Sequence, residues 1–495
     1  MSLPAWGWRV SLLILLALAG FLRLLDATDP PLDFHSTRQL RNAIVARGLY
    51  YKALPNADPA LREQALAQRN SVGQYEPPIM ETLTAWTYAR IGGESFVVPR
   101  VWNTVFWLLA ALALFGLTAR AAGVEAALLA TGFFTLLPFA VQASRSFQPD
   151  PLMTAAMVAG LYLLYRWAET PRWGWAVAAG LTLGFAALVK IVIAFLIAGA
   201  AVALVLFTLG WRKLWRAPQV WGMAALMVTP AFLYYVVFSP GRSSEYFVSW
   251  TLALLQLIVS PAFYVRWLSF LHTLFGLTPL FLSLLGVLLA APRLRAMLIG
   301  LWVGYLLYGI TLPYQMYTHS YYHLQLTPLI ALGLAPLVET GVQRLRQQAA
   351  VWRWLLLPLV ILMAAYPAWV ARSTLLAEDF RAEPAYWAEV GAALPMDGKI
   401  IALTQDYGFR LMYFGWRKVD LWPITGEQEL SALRGDEKKF EQQFAKRTEG
   451  KDYFVITAFG QYNKQPALQQ MLTEHYRLIA EGDGYLVFDL RATIK

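Results

Sequence analysis

Apolar residues along this chain come in long unbroken blocks. A membrane crossing takes roughly 20 such residues, with a range of about 17–25. Candidate blocks lie near residues 8–25, 98–118, 124–143, 151–168, 174–189, 191–209, 219–238, 270–290, 296–312, 324–338 and 354–370. The pattern predicts a polytopic α-helical membrane protein with about 11 transmembrane helices. The fifth and sixth blocks are short and parted only around Lys190, so they read as two tilted spans or as one broken hairpin. The first block follows Arg9 and runs into Arg23-Leu24-Leu25-Asp26 with no small-residue cleavage site, which reads as a retained span.

Two segments depart from this pattern. Residues 26–93 are polar and rich in helix formers. Residues 36–50 and 59–70 place apolar and basic residues at helical spacing, which predicts amphipathic helices lying on the membrane surface. The tail beyond residue 372 has β-like runs at 399–404, 453–457 and 485–490, with helical stretches at 384–394, 427–434 and 465–475. The expected organisation is a transmembrane module at 1–372, with its first outer loop at 26–97, and a soluble extracytoplasmic α/β domain at 373–495. No internal repeat stands out.

Composition agrees with the block pattern. Of 495 residues, 58% are hydrophobic and only 15% charged, against about a quarter charged in soluble domains. There is no cysteine, which excludes disulfides, zinc–thiolate sites and thiol nucleophiles. The net charge of +10 would suggest nucleic acid in a soluble protein. Here the basic residues sit in short loops between apolar blocks, where they act as topology signals and imply no nucleic-acid partner. With the N-terminus inside, the inner loops carry Arg120, Arg166, Arg172, Arg212, Lys213, Arg216, Arg293, Arg295, Arg344, Arg346 and Arg353, whereas the short outer loops carry only Arg145 and Lys190. An odd number of spans then leaves the C-terminal domain outside a bacterial-type cytoplasmic membrane.

The remaining polar residues gather on the predicted outer side. The first outer loop begins Asp29-Pro30-Pro31-Leu32-Asp33-Phe34-His35-Ser36-Thr37-Arg38-Gln39 and ends Gln74-Tyr75-Glu76-Pro77-Pro78. Later loops carry Arg145 to Asp150, then Lys190, then Arg242, Glu245, Arg266 and His272, then Tyr314 to His323. The carboxylates Asp33, Glu76 and Asp150 would face Lys190, Arg266, His319 and His323 across an outward cavity. Such an arrangement suits group transfer from a lipid phosphate: a carboxylate deprotonates an acceptor hydroxyl, and cations or a divalent metal neutralise the leaving phosphate. Each residue also has a plainer reading. Asp33 would cap a helix starting near Ser36, and Asp150, followed by proline, would cap the next span. Lys190 would snorkel to lipid headgroups. His319 and His323, spaced i, i+4 as metal ligands on a helix are, would be ordinary interfacial polar residues. Tyr317, Tyr321 and Tyr322 would belong to an aromatic belt.

Taken together, the motifs resemble the GT-C superfamily of glycosyltransferases. Asp33 to Gln39, followed by Asn42-Ala43-Ile44-Val45-Ala46-Arg47, resembles the first-loop signature of bacterial relatives of the protein O-mannosyltransferases and of the transferase that attaches aminoarabinose to lipid A. Tyr75-Glu76-Pro77-Pro78 resembles the acidic-Pro-Pro element, Pro149-Asp150 a second acidic position, and Leu188-Val189-Lys190 a Leu-Thr-Lys turn. Tyr321-Tyr322-His323-Leu324, with Pro328 downstream, resembles the late outer loop. The resemblance spans roughly residues 1–340, and the α/β tail is less specifically similar to that of the lipid A enzyme.

The resemblance implies an inverting enzyme that moves a sugar from a polyprenyl-phosphate donor to an acceptor hydroxyl on a lipid, glycan or protein outside the membrane. Asp33 would be the general base or its organiser, and Asp150 would position the acceptor or a metal. Lys190, Tyr322 and Arg266 would hold the donor phosphate, with His35 and Arg38 also binding substrate. Glu76 would bind metal or shape the loop. Glu76, Asp150, His319 and His323 are the candidate metal ligands. There are two departures: no lysine precedes Pro77, so Lys190 or Arg266 would have to supply that phosphate contact, and the first-loop acid is single, which leaves metal dependence open. Two other functions compete: a transporter or flippase of lipid-linked sugars, and a non-catalytic envelope assembly protein. In the tail, Asp406, Tyr407, Arg410 and Asp420 follow no spacing rule.

Overall fold

A computed structural model of the chain describes residues 5–73, 75–239, 248, 251–348, 350–395, 397–435 and 439–494. The chain divides into two compact units: Met1–Ala27, Gln74–Met80 and Val97–Glu378 form the first, and Thr28–Gly73, Glu81–Phe96 and Asp379–Lys495 the second.

The first unit is helical, and each apolar block has a helical counterpart. Among the described residues, seven helices are long and apolar enough to cross a membrane. Two bent pairs raise that to nine: Val124–Leu136 with Pro138–Arg145, bent by 60°, and Leu252–Val259 with Pro261–Phe275, bent by 95°. Trp173–Val189 and Leu277–Leu289 are shorter apolar helices. The chain is thus a multi-pass α-helical membrane protein. The bend after Leu136 has a local cause. Pro138 has no amide hydrogen and disfavours the α conformation in the residue before it. Leu137 accordingly takes φ −55° and ψ 124°, and Pro138 opens the next helix.

The break at Lys190 separates two distinct helices. Trp173–Val189 packs against Asp150–Glu169 and Pro218–Phe232, whereas Ala194–Leu214 packs against Pro292–Thr311. Lys190 itself is extended, with φ −157° and ψ 114°, ahead of a single 3₁₀ turn at Ile191–Ile193. Glycines set the closeness of the second pairing. Gly300 and Gly304 lie four residues apart, on one face of their helix. A Cβ at Gly300 would overlap the carbonyl of Gly199, and one at Gly304 that of Phe195. Apolar lipid supplies little hydrophobic drive for helix association, so close backbone approach at small residues carries it.

The second unit holds a five-stranded mixed sheet. The strands are β1 (Ile400–Leu403), β2 (Val419–Leu421), β3 (Tyr453–Ile456), β4 (Tyr476–Gly482) and β5 (Tyr485–Thr493), in the order β2-β1-β3-β5-β4. β1 runs parallel to β2 and β3, and β5 antiparallel to β3 and β4. The inner strands are buried on both faces. Ile400 and Ala402 join a cluster with Trp387, Val455 and Val487, while Ile401 and Leu403 join Trp422, Phe444 and Phe488. This explains their continuous apolar runs.

Helices Ser36–Ala53 and Pro59–Ser71 belong to the same unit. Ser36–Ala53 is buried from Gln39 to Gly48, not laid open on a surface, and packs against Pro59–Ser71 and Phe409–Phe414. Its basic residues work inside the protein. Arg47 pairs with Glu94 at 3.0 Å, donates to the Tyr413 carbonyl at 2.6 Å, and lies over the Tyr413 and Trp416 rings. Burial, and then the adjacent Glu94 carboxylate, push the Tyr413 phenol well above its ordinary pKa.

Replacing Gly300 by valine forces apart the backbones it joins. The expected cost is about 1–3 kcal/mol, in the range of overpacked cores, read as a lower unfolding midpoint of the detergent-solubilised protein.

Candidate functional site

Within the first unit, the chemistry converges on Asp150 and Lys190. Lys190 Nζ lies 2.8 Å from Asp150 Oδ1, and the two residues are 3% and 1% exposed. An ion pair so removed from water depends on its partnership, because either charge alone would carry a large desolvation penalty. Asp150 is the first residue of helix Asp150–Glu169, where the helix dipole favours a carboxylate. No side chain caps that helix, and the Asp150 carboxylate engages the lysine 40 residues away. The segment before it is also fixed. Asn103 donates to the Ser146 carbonyl at 2.5 Å, and Arg100 and Arg145 both donate to the Asp26 carbonyl at 3.1 Å.

Aromatic rings form the other side of the pair. Lys190 Nζ sits 4.5 Å from the Tyr322 ring centroid and 4.8 Å from that of Tyr321, within cation–π range. Tyr322 is held in turn by its backbone. Its carbonyl accepts from Tyr308 Oη at 3.2 Å and from Gln325 Nε2 at 2.7 Å. Behind it, His323 is fully buried. Its Nε2 faces the Met316 carbonyl at 3.0 Å and its Nδ1 faces Tyr305 Oη at 2.7 Å. A carbonyl only accepts, so Nε2 carries the proton and Nδ1 accepts from the phenol. His323 therefore spends both ring nitrogens on positioning its loop.

Glu76 and Arg266 approach this centre through intermediates. Glu76 acts electrostatically on Tyr235, whose hydroxyl donates to the Leu188 carbonyl at 3.2 Å, two residues before Lys190. Arg266 is exposed on helix Pro261–Phe275 and lies 5.6 Å from the Tyr317 ring. Ring contacts run on from Tyr317 to Tyr314, His319 and Tyr322. Arg242 and Glu245 fall outside the described residues. His319 and His323 do not share a helical face as their spacing suggested: His319 is extended, at φ −127°, ahead of the 3₁₀ turn Ser320–His323, and its Nδ1 lies 2.7 Å from the Thr318 hydroxyl. Among the described residues no three His, Asp or Glu side chains are grouped to hold a metal. No three of Glu76, Asp150, His319 and His323 are thus brought together in such a group.

Sequence reasoning passed over two glutamines. Gln148 and Gln315 are almost fully buried, and neither amide has a hydrogen-bond partner among the described residues. Asp150 Oδ2 is in the same position. Buried polar groups are nearly always satisfied, so unsatisfied ones mark places built for something other than packing. No sequence signal separates these glutamines from others, because the signal is burial.

Asp33, His35 and Arg38 lie in the second unit. Asp33 is part-exposed, in the turn before helix Ser36–Ala53. His35 occupies the N-cap position in a left-handed conformation, φ 47° and ψ 55°, with no side-chain cap, so Asp33 is not that helix's cap. Gln39 stiffens the turn by donating to the carbonyls of Phe34 at 2.7 Å and Pro31 at 3.3 Å. Arg38 sits in the first turn, its amide bonded to the His35 carbonyl. Asp406 and Arg410, apparently scattered in sequence, are joined here: Arg410 Nε lies 2.5 Å from Asp406 Oδ2, and its Nη1 3.0 Å from Glu383. Burial opposes the Arg410 charge, but Asp406 and then Glu383 outweigh it and hold the guanidinium above its ordinary pKa.

Asp150→Ala and Lys190→Met should each destabilise the protein by about 3–5 kcal/mol, the usual cost of removing one partner of a buried ion pair. The double substitution should cost less than the sum of the two, a non-additivity that unfolding of the four proteins measures directly.

Comparison with known proteins adds the fold. Residues 71–246 match the dolichyl-phosphate-mannose-protein mannosyltransferase family. No curated protein matches the chain. Among solved structures, ArnT from Cupriavidus metallidurans bound to undecaprenyl phosphate is similar with a TM-score of 0.57 and 16% identity, over 98% of this chain and 98% of that one. The Archaeoglobus fulgidus oligosaccharyltransferase, in complex with Zn and sulfate, gives 0.53 and 14% over 98% of this chain and 75% of that one. AglB from the same organism, with an inhibitory peptide and a dolichol-phosphate, gives 0.52 and 13% over 99% and 76%. The helical unit and the small mixed sheet are therefore the two parts of a polytopic membrane protein with the GT-C glycosyltransferase fold.

Proposed function

We propose that this protein is an inverting glycosyltransferase that moves a sugar from a polyprenyl-phosphate donor to a hydroxyl of a lipid, glycan or protein acceptor. The observation that carries the reading is the buried Asp150–Lys190 pair beneath Tyr321 and Tyr322. It occurs on the fold of an enzyme solved with undecaprenyl phosphate. A lysine beside aromatic rings and a carboxylate can exchange part of that partnership for a phosphate.

In the proposed reaction the acceptor oxygen attacks the anomeric carbon of the sugar. The bond from that carbon to the phosphate oxygen breaks, and polyprenyl phosphate leaves with the electron pair. Asp33 takes the acceptor proton or orients the group that does, a role worth about 10²–10⁴-fold in rate. Lys190, Tyr322 and Arg266 stabilise the leaving phosphate, and Asp150 sets the lysine and the acceptor. Gln148 and Gln315 supply further hydrogen bonds. Glu76, His35 and Arg38 shape and bind around the substrate. The catalytic module is assigned to residues 1–372 and the soluble domain to 373–495, as an acceptor-binding or folding module. The N-terminus is placed in the cytoplasm and the C-terminal domain outside a bacterial-type cytoplasmic membrane.

Mass spectrometry of envelope glycans and polyprenyl-linked sugars should show loss of one sugar adduct when the gene is deleted and its return on complementation. Asp33→Asn should fail to restore it; full restoration would remove the proposed base. Movement of lipid-linked sugar without any glycosidic product would instead indicate a flippase. The absence of native cysteine allows a direct topology test. In intact spheroplasts, an impermeant maleimide should label Glu449→Cys in the tail and leave Lys213→Cys unlabelled.

A further inference from the structure

The helix start that directly follows the Asp33 turn is gripped by a residue 370 positions later in the chain. Asp406 Oδ1 accepts hydrogen bonds from Ser36 Oγ at 2.6 Å and Thr37 Oγ1 at 3.0 Å. Its other oxygen faces Arg410, which Glu383 holds in turn. Both carboxylate oxygens are thereby committed, and the direction of the group is fixed.

This is not an ordinary helix cap. A capping side chain accepts from backbone amides of the first turn, whereas Asp406 accepts from two side-chain hydroxyls on consecutive residues. Ser36 and Thr37 immediately follow His35, which is left-handed at φ 47°. The turn is therefore held from two directions, by Gln39 of its own helix and by Asp406 of the tail. The backbone presenting Asp406 is itself unusual. Asp406 and Tyr407 are left-handed, at φ 51° and 55°, and Gly408 follows at φ 72°. Consecutive non-glycine residues in that region persist only where their surroundings hold them. Here the gain is a carboxylate aimed at Ser36 and Thr37.

We infer that Asp406 is a positioning residue for the reaction: acting through Ser36 and Thr37, it fixes the turn that presents Asp33, so that the C-terminal part of the chain sets the geometry of catalysis. The inference rests on the reading of Asp33 as the base or its organiser. It makes the tail a component of turnover, beyond any part in acceptor binding.

The test uses the full-length protein in membranes of its own host lacking the native gene, so that the natural donor and acceptor supply the assay. Asp406→Ala should slow sugar transfer by about 10–100-fold, the scale of a small misplacement of a reacting group. Asp406→Asn keeps an acceptor oxygen for both hydroxyls and should recover most of that loss. Ser36→Ala with Thr37→Val should reproduce the Asp406→Ala defect. The triple variant should be no slower than either parent. Hydrogen exchange of the purified protein should show faster exchange at residues 36–40 in Asp406→Ala. Wild-type rates in Asp406→Ala, or multiplicative losses in the triple variant, would overturn the proposal. Asp33→Asn, assayed alongside, separates the two ideas. If Asp33→Asn transfers normally while exchange still rises in Asp406→Ala, the base assignment fails and the grip on the turn stands. If Asp33→Asn is inactive while Asp406→Ala changes neither rate nor exchange, the positioning role fails and the base assignment stands.

Discussion

A lysine and an aspartate withdrawn from water between apolar helices place a demand on everything around them. Each charge is tolerable only while the other is in place. The helix start at Asp150, the extended residue at Lys190 and the Tyr321–Tyr322 turn must therefore hold their positions together. The surrounding structure meets that demand with backbone anchors. Asn103 and Arg145 fix the segment before Asp150. Tyr308 and Gln325 fix the Tyr322 carbonyl. His323 ties its own turn to Met316 and Tyr305. The glycine contacts between Ala194–Leu214 and Pro292–Thr311 secure the helix that follows Lys190. Ionised groups in such surroundings are expensive, which is why they tend to mark function.

The second unit solves a different problem with related means. A long polar loop has to present a short acidic turn in one conformation. Its first helix, Ser36–Ala53, is buried and wired into the unit through Arg47, Glu94 and Tyr413. The turn ahead of that helix is held by Gln39 and Asp406. Arg47, one of the basic residues that gave residues 36–50 the look of a membrane-surface helix, is spent on Glu94 and Tyr413. Amphipathic spacing records which face is polar, and a partner protein surface satisfies that face as well as lipid headgroups do.

How far the site was legible varies residue by residue. Asp150 and Lys190 stood out because an acid between prolines and a lysine between two apolar blocks are costly without a purpose, whereas Asp33 and Tyr322 stood out through the motifs that resemble the glycosyltransferases. The pairing of Asp150 with Lys190 was not legible. Nothing in a spacing of 40 residues specifies a 2.8 Å contact, and proline after Asp150 suggested a cap instead. The i, i+4 histidines illustrate the converse: that spacing implies a shared face only in a helix, and His319 is extended. Gln148 and Gln315 were invisible as candidates because their distinction is burial without partners. Strands β2 and β4 escaped for simpler reasons. The first has three residues, and the second is an edge strand with mostly exposed side chains.

What the amino-acid sequence determined by itself was the membrane-spanning class, the order of apolar helices, the inner strands of the tail and the acidic and basic residues worth asking about. These follow from local properties, namely block length, period and the cost of isolated charge, which act over a few turns of chain. The tertiary structure alone decided which charges meet, which histidine nitrogens are already spent and which tail residue grips the turn before Ser36. Those outcomes depend on contacts between residues 7 to 370 positions apart. Such contacts exist only once helices and strands have packed, and no short-range pattern encodes them.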